Sequence, residues 1–99
     1  MSIFGVSAIR RNLAGTDLES CMVHSIRRDG GSFVACYGTA TPIEDVASSI
    51  LAGYEYFVLT CHLGERFRLI EREHIHVKAG QTKYLYSHPR NSLFQLPAF

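Results

Sequence analysis

Thr41-Pro42-Ile43-Glu44-Asp45-Val46-Ala47-Ser48-Ser49-Ile50-Leu51-Ala52-Gly53 carries the clearest instruction in the chain, because three kinds of signal agree over it. Thr41 offers a hydroxyl at an N-cap, Pro42 has the fixed φ suited to a first helical position, and Glu44 stands where it completes a capping box. Ile43, Val46, Ala47, Ile50 and Leu51 recur at the spacing of one helical face, with Glu44, Asp45, Ser48 and Ser49 opposite. The acidic pair in the first turn suits the positive end of the helix dipole. Gly53 stands where a left-handed residue ends a helix without a Cβ penalty. Together these predict a helix over about residues 42–52.

Outward from the helix, everything reads as strand and turn. Upstream, Ile3 to Arg10 is followed by the loop Asn12 to Asp17, then Cys21 to Arg28, the turn Asp29-Gly30-Gly31, and Ser32 to Tyr37. Downstream, Tyr54 to His62 is rich in aromatic and β-branched residues, and Leu63-Gly64 turns the chain into Glu65 to Ile70. Ile75 to Lys78 and Lys83 to Ser87 pair across Ala79-Gly80-Gln81. Pro89 to Ser92 breaks regular structure, and Leu93, Phe94, Leu96 and Phe99 are apolar enough to dock on the body. A lone helix with one apolar face needs an apolar surface to cover, and these strands supply it. The expected fold is α+β: a curved antiparallel sheet of about five to six strands with one helix packed on one face.

Composition sets the outer bounds. The chain has 99 residues, room for one hydrophobic core, with 46% hydrophobic and 19% charged residues, a globular mixture. Ten Lys plus Arg against nine Asp plus Glu leaves a formal charge of +1, so no global field steers it toward nucleic acid or an anionic membrane. The opening Met1-Ser2-Ile3-Phe4-Gly5-Val6 has no basic leader, and the longest apolar runs are a few residues, so neither a signal peptide nor a membrane span is expected. Cys21, Cys36 and Cys61 are odd in number and far apart. They read as reduced core residues of a cytoplasmic protein.

From Thr41 onward the chain resembles a known family. The residues are Thr41-Pro42-Ile43-Glu44-Asp45-Val46, Ile50, Gly53, Tyr56-Phe57-Val58, Lys83-Tyr84-Leu85, and Asn91-Ser92-Leu93 running to Leu96-Pro97. This pattern is similar to the uncharacterised family called domain of unknown function 3892 (DUF3892). Phe99 stands in place of the cysteine that the family often has at its end, and Glu71 to Gln81 is a longer stretch than the family carries. The resemblance implies a fold and no chemistry.

Candidate sites come from the titratable residues. His74 and His76 share a face in a strand, a two-ligand geometry for zinc or nickel. Cys61-His62 lies at the tip of a hairpin, on the order of 30 Å away at ~3.3 Å per residue, too far to complete that site. No metal and no cofactor are expected. There is no nucleophile elbow, cysteine-protease signature or glycine-rich phosphate loop, so no catalytic role is expected. Glu71 and Glu73, alternating with arginine, read as a solvated, salt-bridged strand end. Arg10-Arg11 and Arg27-Arg28 read as strand ends facing water.

The sharper hypothesis is cationic. Arg66, Arg68, Arg72, His74 and His76 have the same parity along Glu65 to Lys78, so an unbroken strand places them on one face, with Tyr84 and Tyr86 on a neighbouring strand. Such a surface grips phosphates and stacks bases. A bulge or turn near Arg72 would flip the parity beyond it. Against this stands an aromatic surplus, six Phe and five Tyr, that one helix cannot cover. That surplus points to an open sheet face or edge that docks an unknown protein partner or a second copy of the chain. The leading expectation is a non-enzymatic protein-interaction or accessory module, with nucleic-acid binding as the alternative.

Overall fold

The computed structural model describes residues 3–15, 17–29, 32–62, 66–77, 85–88 and 92–99. Six strands and one helix follow in the order β1 (Ile3–Arg11), β2 (Leu18–Asp29), β3 (Ser32–Pro42), α1 (Ile43–Leu51), β4 (Glu55–His62), β5 (Arg66–Val77) and β6 (Leu85–His88), closed by a 3-10 turn at Ser92–Gln95. They form one sheet in the order β3-β2-β1-β4-β5-β6. The turns expected at Gly30-Gly31, Leu63-Gly64 and Ala79-Gly80-Gln81 lie outside the described residues.

The sheet is mixed, where strand signals alone suggest an antiparallel one. β1, β2 and β3 form one antiparallel meander and β4, β5 and β6 another, but β1 and β4 run parallel from Ile3↔Glu55 to Val6↔Val58. The helix is the reason. β3 has the direction of β1, and α1 carries the chain back over the sheet to enter β4 with that same direction, as a parallel neighbour requires. α1 packs across β2, β3 and β5. β3 and β5 themselves approach within 8 Å between Cα atoms, although β2, β1 and β4 lie between them. The sheet therefore coils around the helix without closing into a barrel.

Past Val6 the seam between β1 and β4 opens, and the C-terminal tail fills it. Ile9 forms a parallel bridge with Ala98; its amide donates to the Pro97 carbonyl at 3.0 Å and its carbonyl accepts from the Phe99 amide at 3.3 Å. Arg10 donates to the Phe99 carbonyl at 3.1 Å and Arg11 to the Phe94 carbonyl at 2.9 Å. Their guanidinium carbons lie 4.6 Å from the ring centre of Phe99 and 5.7 Å from that of Phe94. Arg10-Arg11 is thus a clamp on the tail rather than a bare strand end, since a planar guanidinium can donate and stack at once.

The tail docks as its apolar residues suggest. Leu93 is fully buried beside Val6, Ile9, Cys21, Val23, Val46, Val58, Ile75 and Leu85, and its amide donates to Ser87 Oγ at 2.9 Å. Ile43, Val46 and Ala47 of α1 are buried in the same core, with Ile50 packed at its margin. Each fully buried Val or Ile contributes about 1.5–3 kcal/mol. Leu51 departs from the expected apolar stripe, since it is 64% exposed.

The two ends of the helix differ in how well the sequence foretells them. β3 continues through Pro42, so α1 starts a residue later than the motif suggests, with Pro42 at the N-cap and no side-chain capping bond. Thr41 is a strand residue opposite Cys21, and its hydroxyl donates to the Thr39 carbonyl at 3.0 Å. The capping box does not form. At the other end Gly53 has φ +104°, its amide reaches the Ile50 carbonyl at 3.0 Å, and the Tyr54 amide reaches the Ser49 carbonyl at 3.2 Å. This pair of bonds is a Schellman closure.

Candidate functional site

Cross-strand partners share a face, so the register defines the side of the sheet turned away from the helix. Gly38, His24, Gly5, Phe57 and His74 form one row across β3, β2, β1, β4 and β5. Val6, Val23 and Val58 lie one step along and belong to the helix-side core. At each end of the away-facing row a histidine anchors a different kind of cluster.

At the β5 end the cluster is a ladder of rings. The His74 ring lies 4.2 Å from Phe57 between centroids, His74 and His76 are 6.0 Å apart, and His76 is 5.4 Å from Tyr86. His76 sits opposite Tyr86 in the register. Phe57 is buried, while Tyr86 is 39% exposed and His76 is exposed, so the ladder runs from core to solvent.

Of the sequence-predicted cationic row, His74, His76 and Tyr86 are brought together. The side chains of Arg66, Arg68 and Arg72, and the whole of Tyr84, lie outside those described. The backbone register nonetheless bears on the row. Val58 pairs with Ile70 and the preceding Phe57 with His74, so one step on β4 spans four residues on β5. Arg68 and Arg66, opposite Thr60 and His62, are in phase with Val58, whereas His74 is in phase with Phe57. The alternation is interrupted at 71–73, and β5 is not the unbroken strand that one shared face requires. Glu73, in that interruption, is buried rather than solvated at a strand end.

At the β2 end the cluster is hydrogen-bonded. His24 Nδ1 lies 2.8 Å from the Cys36 carbonyl oxygen and Nε2 lies 2.6 Å from Ser7 Oγ. A carbonyl only accepts, so Nδ1 carries the proton in the neutral ring, and Nε2 accepts from the Ser7 hydroxyl. Both partners are delivered by register shifts. In β1, Val6 and Ala8 pair with consecutive residues Val23 and Met22, which leaves Ser7 as the extra residue. In β3, Ala35 and Gly38 pair with Ile26 and His24, which leaves one extra residue on β3 at Cys36-Tyr37. Bulges re-aim groups that a regular ladder would commit to pairing. Gly38 completes the arrangement: a Cβ there would lie 2.7 Å from His24 Cε1 and 2.8 Å from Met22 Sδ.

Sequence reasoning passes over Ser7 and His24, because neither stands in a nucleophile motif and the link is between residues 17 apart. The available signal is His24 itself, a polar residue directly after the run Cys21-Met22-Val23 and opposite Gly38. A groove of about 450 Å³ opens beside this site, lined by His24, Arg27, Val34, Ala35, Cys36, Tyr37 and Gly38.

The cysteines split. Cys21 is buried and free, and burial pushes its thiol up to about 12 from 9.0. Cys36 is also a free thiol but exposed, which corrects its expected place in the core; the bulge turns the chain outward there. The side chain of Cys61 lies outside those described. Among the described residues no cluster of three or more His, Cys, Asp or Glu is placed to hold a metal ion, and no described helix is long and apolar enough to cross a membrane. No family model, curated protein or solved structure matches this chain.

Proposed function

We infer that the protein acts by binding rather than by turnover, as a small interaction module that docks an extended segment of a partner protein along β3. One observation carries this reading. β3 is an edge strand of 11 residues, SFVACYGTATP, without a charged side chain, and Tyr37 stands 99% exposed on it. Natural edges are ordinarily blunted by Lys or by covering segments; an uncharged one presents unpaired backbone groups to an incoming strand. The groove beside it offers room for a side chain of that strand. The likeness to domain of unknown function 3892 is part of this reading and adds no chemistry to it, and a cytoplasmic location with no resident cofactor is its natural setting.

The test is competitive. Proteins recovered from the native host by the wild type, and not by Thr39→Lys or Tyr37→Lys, supply candidate segments for synthesis. Titration of such a peptide should shift amide resonances of residues 32–42 first. Shifts confined to β5 and β6 would defeat the β3 assignment. Light scattering over a dilution series separates a second copy from a foreign partner, because self-association fades on dilution.

The exposed rings of His76 and Tyr86 favour a second reading, single-stranded nucleic acid stacked on the ladder. Labelled oligonucleotides at two salt concentrations decide it. A steep salt dependence, weakened by Tyr86→Ala or His76→Ala, supports that reading, and no binding at low salt ends it.

A further inference from the structure

Beyond docking, we propose that Ser7 is a reactive serine that accepts a small acyl group from an activated ester, with His24 as its general base and the Cys36 carbonyl as the group that orients the base. Nucleophilic serine chemistry needs a base within reach of the hydroxyl and a group that orients that base, and the structure supplies both. The hydroxyl lies 2.6 Å from Nε2, within reach for proton transfer. The imidazole is fixed in the required tautomer by the 2.8 Å bond from Nδ1 to the Cys36 carbonyl oxygen, the role a carboxylate plays in a Ser-His-Asp triad. The groove beside β3 is lined by His24 and Cys36 and not by Ser7, so the ester has to reach the hydroxyl past the imidazole.

The way the site is built argues for more than a satisfied core hydrogen bond. A buried histidine needs only one acceptor and one donor from any neighbour. Here two strands flanking β2 each give up regular pairing, β1 at Ser7 and β3 at Cys36-Tyr37. Gly38 leaves the space that the ring occupies, since a Cβ there would crowd His24 Cε1. Bulges beside one ring from both sides are the pattern expected where a side chain has to be aimed.

The chemistry balances without a further reagent. Ser7 Oγ attacks the ester carbonyl carbon as its proton moves to His24 Nε2. The tetrahedral centre collapses, the C–O bond to the alcohol breaks, and the alcohol leaves with that proton. Water, deprotonated by His24, then cleaves the Ser7 ester and releases the carboxylic acid. The carbonyl that faces Nδ1 carries only a partial negative charge, so it supports the imidazolium less than a carboxylate does. Ser7 is 7% exposed and His24 5%, so the acyl donor has to be small. A single acylation followed by slow release fits both facts, and it coexists with a protein whose main work is binding.

The experiment mixes p-nitrophenyl acetate with the full chain in a Cys36→Ala background, so that the exposed thiol does not compete. The expected result is a burst of about one equivalent of p-nitrophenolate, with the acetyl group mapped by peptide mass to Ser7. His24→Gln keeps a donor for the Cys36 carbonyl and an acceptor for the Ser7 hydroxyl but removes the base; it should slow acetylation ~100-fold or more with an unchanged circular dichroism spectrum. Ser7→Ala should abolish it. Should either variant fail to fold, the parent in urea serves instead, where acetylation of Ser7 must disappear. Acetyl found only on lysine or tyrosine, a Ser7 rate indifferent to His24→Gln, or labelling that survives in urea overturns the proposal. Because Thr39→Lys leaves Ser7 and His24 in place, loss of partner binding with retained acetylation separates the two readings.

Discussion

The two faces of the sheet are made by the same alternating strands and do different work. Toward α1 the strands send Val6, Ile9, Cys21, Val23, Val58, Ile75 and Leu85 into a dry layer. Away from it they send His24, His74, His76 and Tyr86, which are held by two hydrogen bonds at one end and by ring contacts at the other. Apolar burial is additive and tolerant of detail, while hydrogen-bonded and stacked side chains add little stability but fix position. The helix-side face therefore supplies most of the apolar burial, while the other, which also buries Phe57 and Leu59, can carry recognition.

Substitutions test that division, and the largest effect belongs to the helix-side layer. Leu93→Ala should cost about 2–5 kcal/mol in urea unfolding, because a fully buried side chain leaves a cavity. Cys21 gives a pH-dependent version of the same experiment. Its folded pKa, about 12, lies above its ordinary 9.0, so the thiol contribution is intact below pH ~9. Between those values the unfolded chain ionises first, and stability should fall by about 1 kcal/mol per pH unit. Cys21→Ala should flatten that slope in an alkaline denaturation series.

On the other face, His24→Ala removes both ring hydrogen bonds and should cost about 1–3 kcal/mol. Tyr86→Ala, at the exposed end of the ladder, should cost only about 0.5–1.5 kcal/mol. Costs there as large as that of Leu93→Ala would break the comparison. Thr41→Ala sharpens it at the small end. With its hydroxyl on the Thr39 carbonyl, its loss should be within about 0.5 kcal/mol, whereas a working N-cap would show about 1.

The sequence makes the helix, its glycine stop and the docking of Leu93 readable, since each depends on local spacing or on apolar character alone. The failures share one cause. Thr41, Cys36 and Glu73 are each placed by where a strand ends or bulges, and no local pattern encodes a partner's register. The parallel seam between β1 and β4 is likewise a product of the crossover through α1, not of either strand. The site at Ser7 and His24 needs two bulges in different strands to coincide on one ring, which no single-strand pattern foretells. His74 and His76 were legible because they lie on one strand at a spacing of two.

The staple at the open seam also sets an order of events. Ile9 cannot meet Ala98 until residue 98 has been made, so a nascent molecule holds its first meander with one border unsealed. Long-range closures of this kind lose entropy before they gain contacts, and they slow folding. The Arg10-Arg11 clamp holds that closure, and weakening it would lengthen the time during which the β1 border is open to other chains.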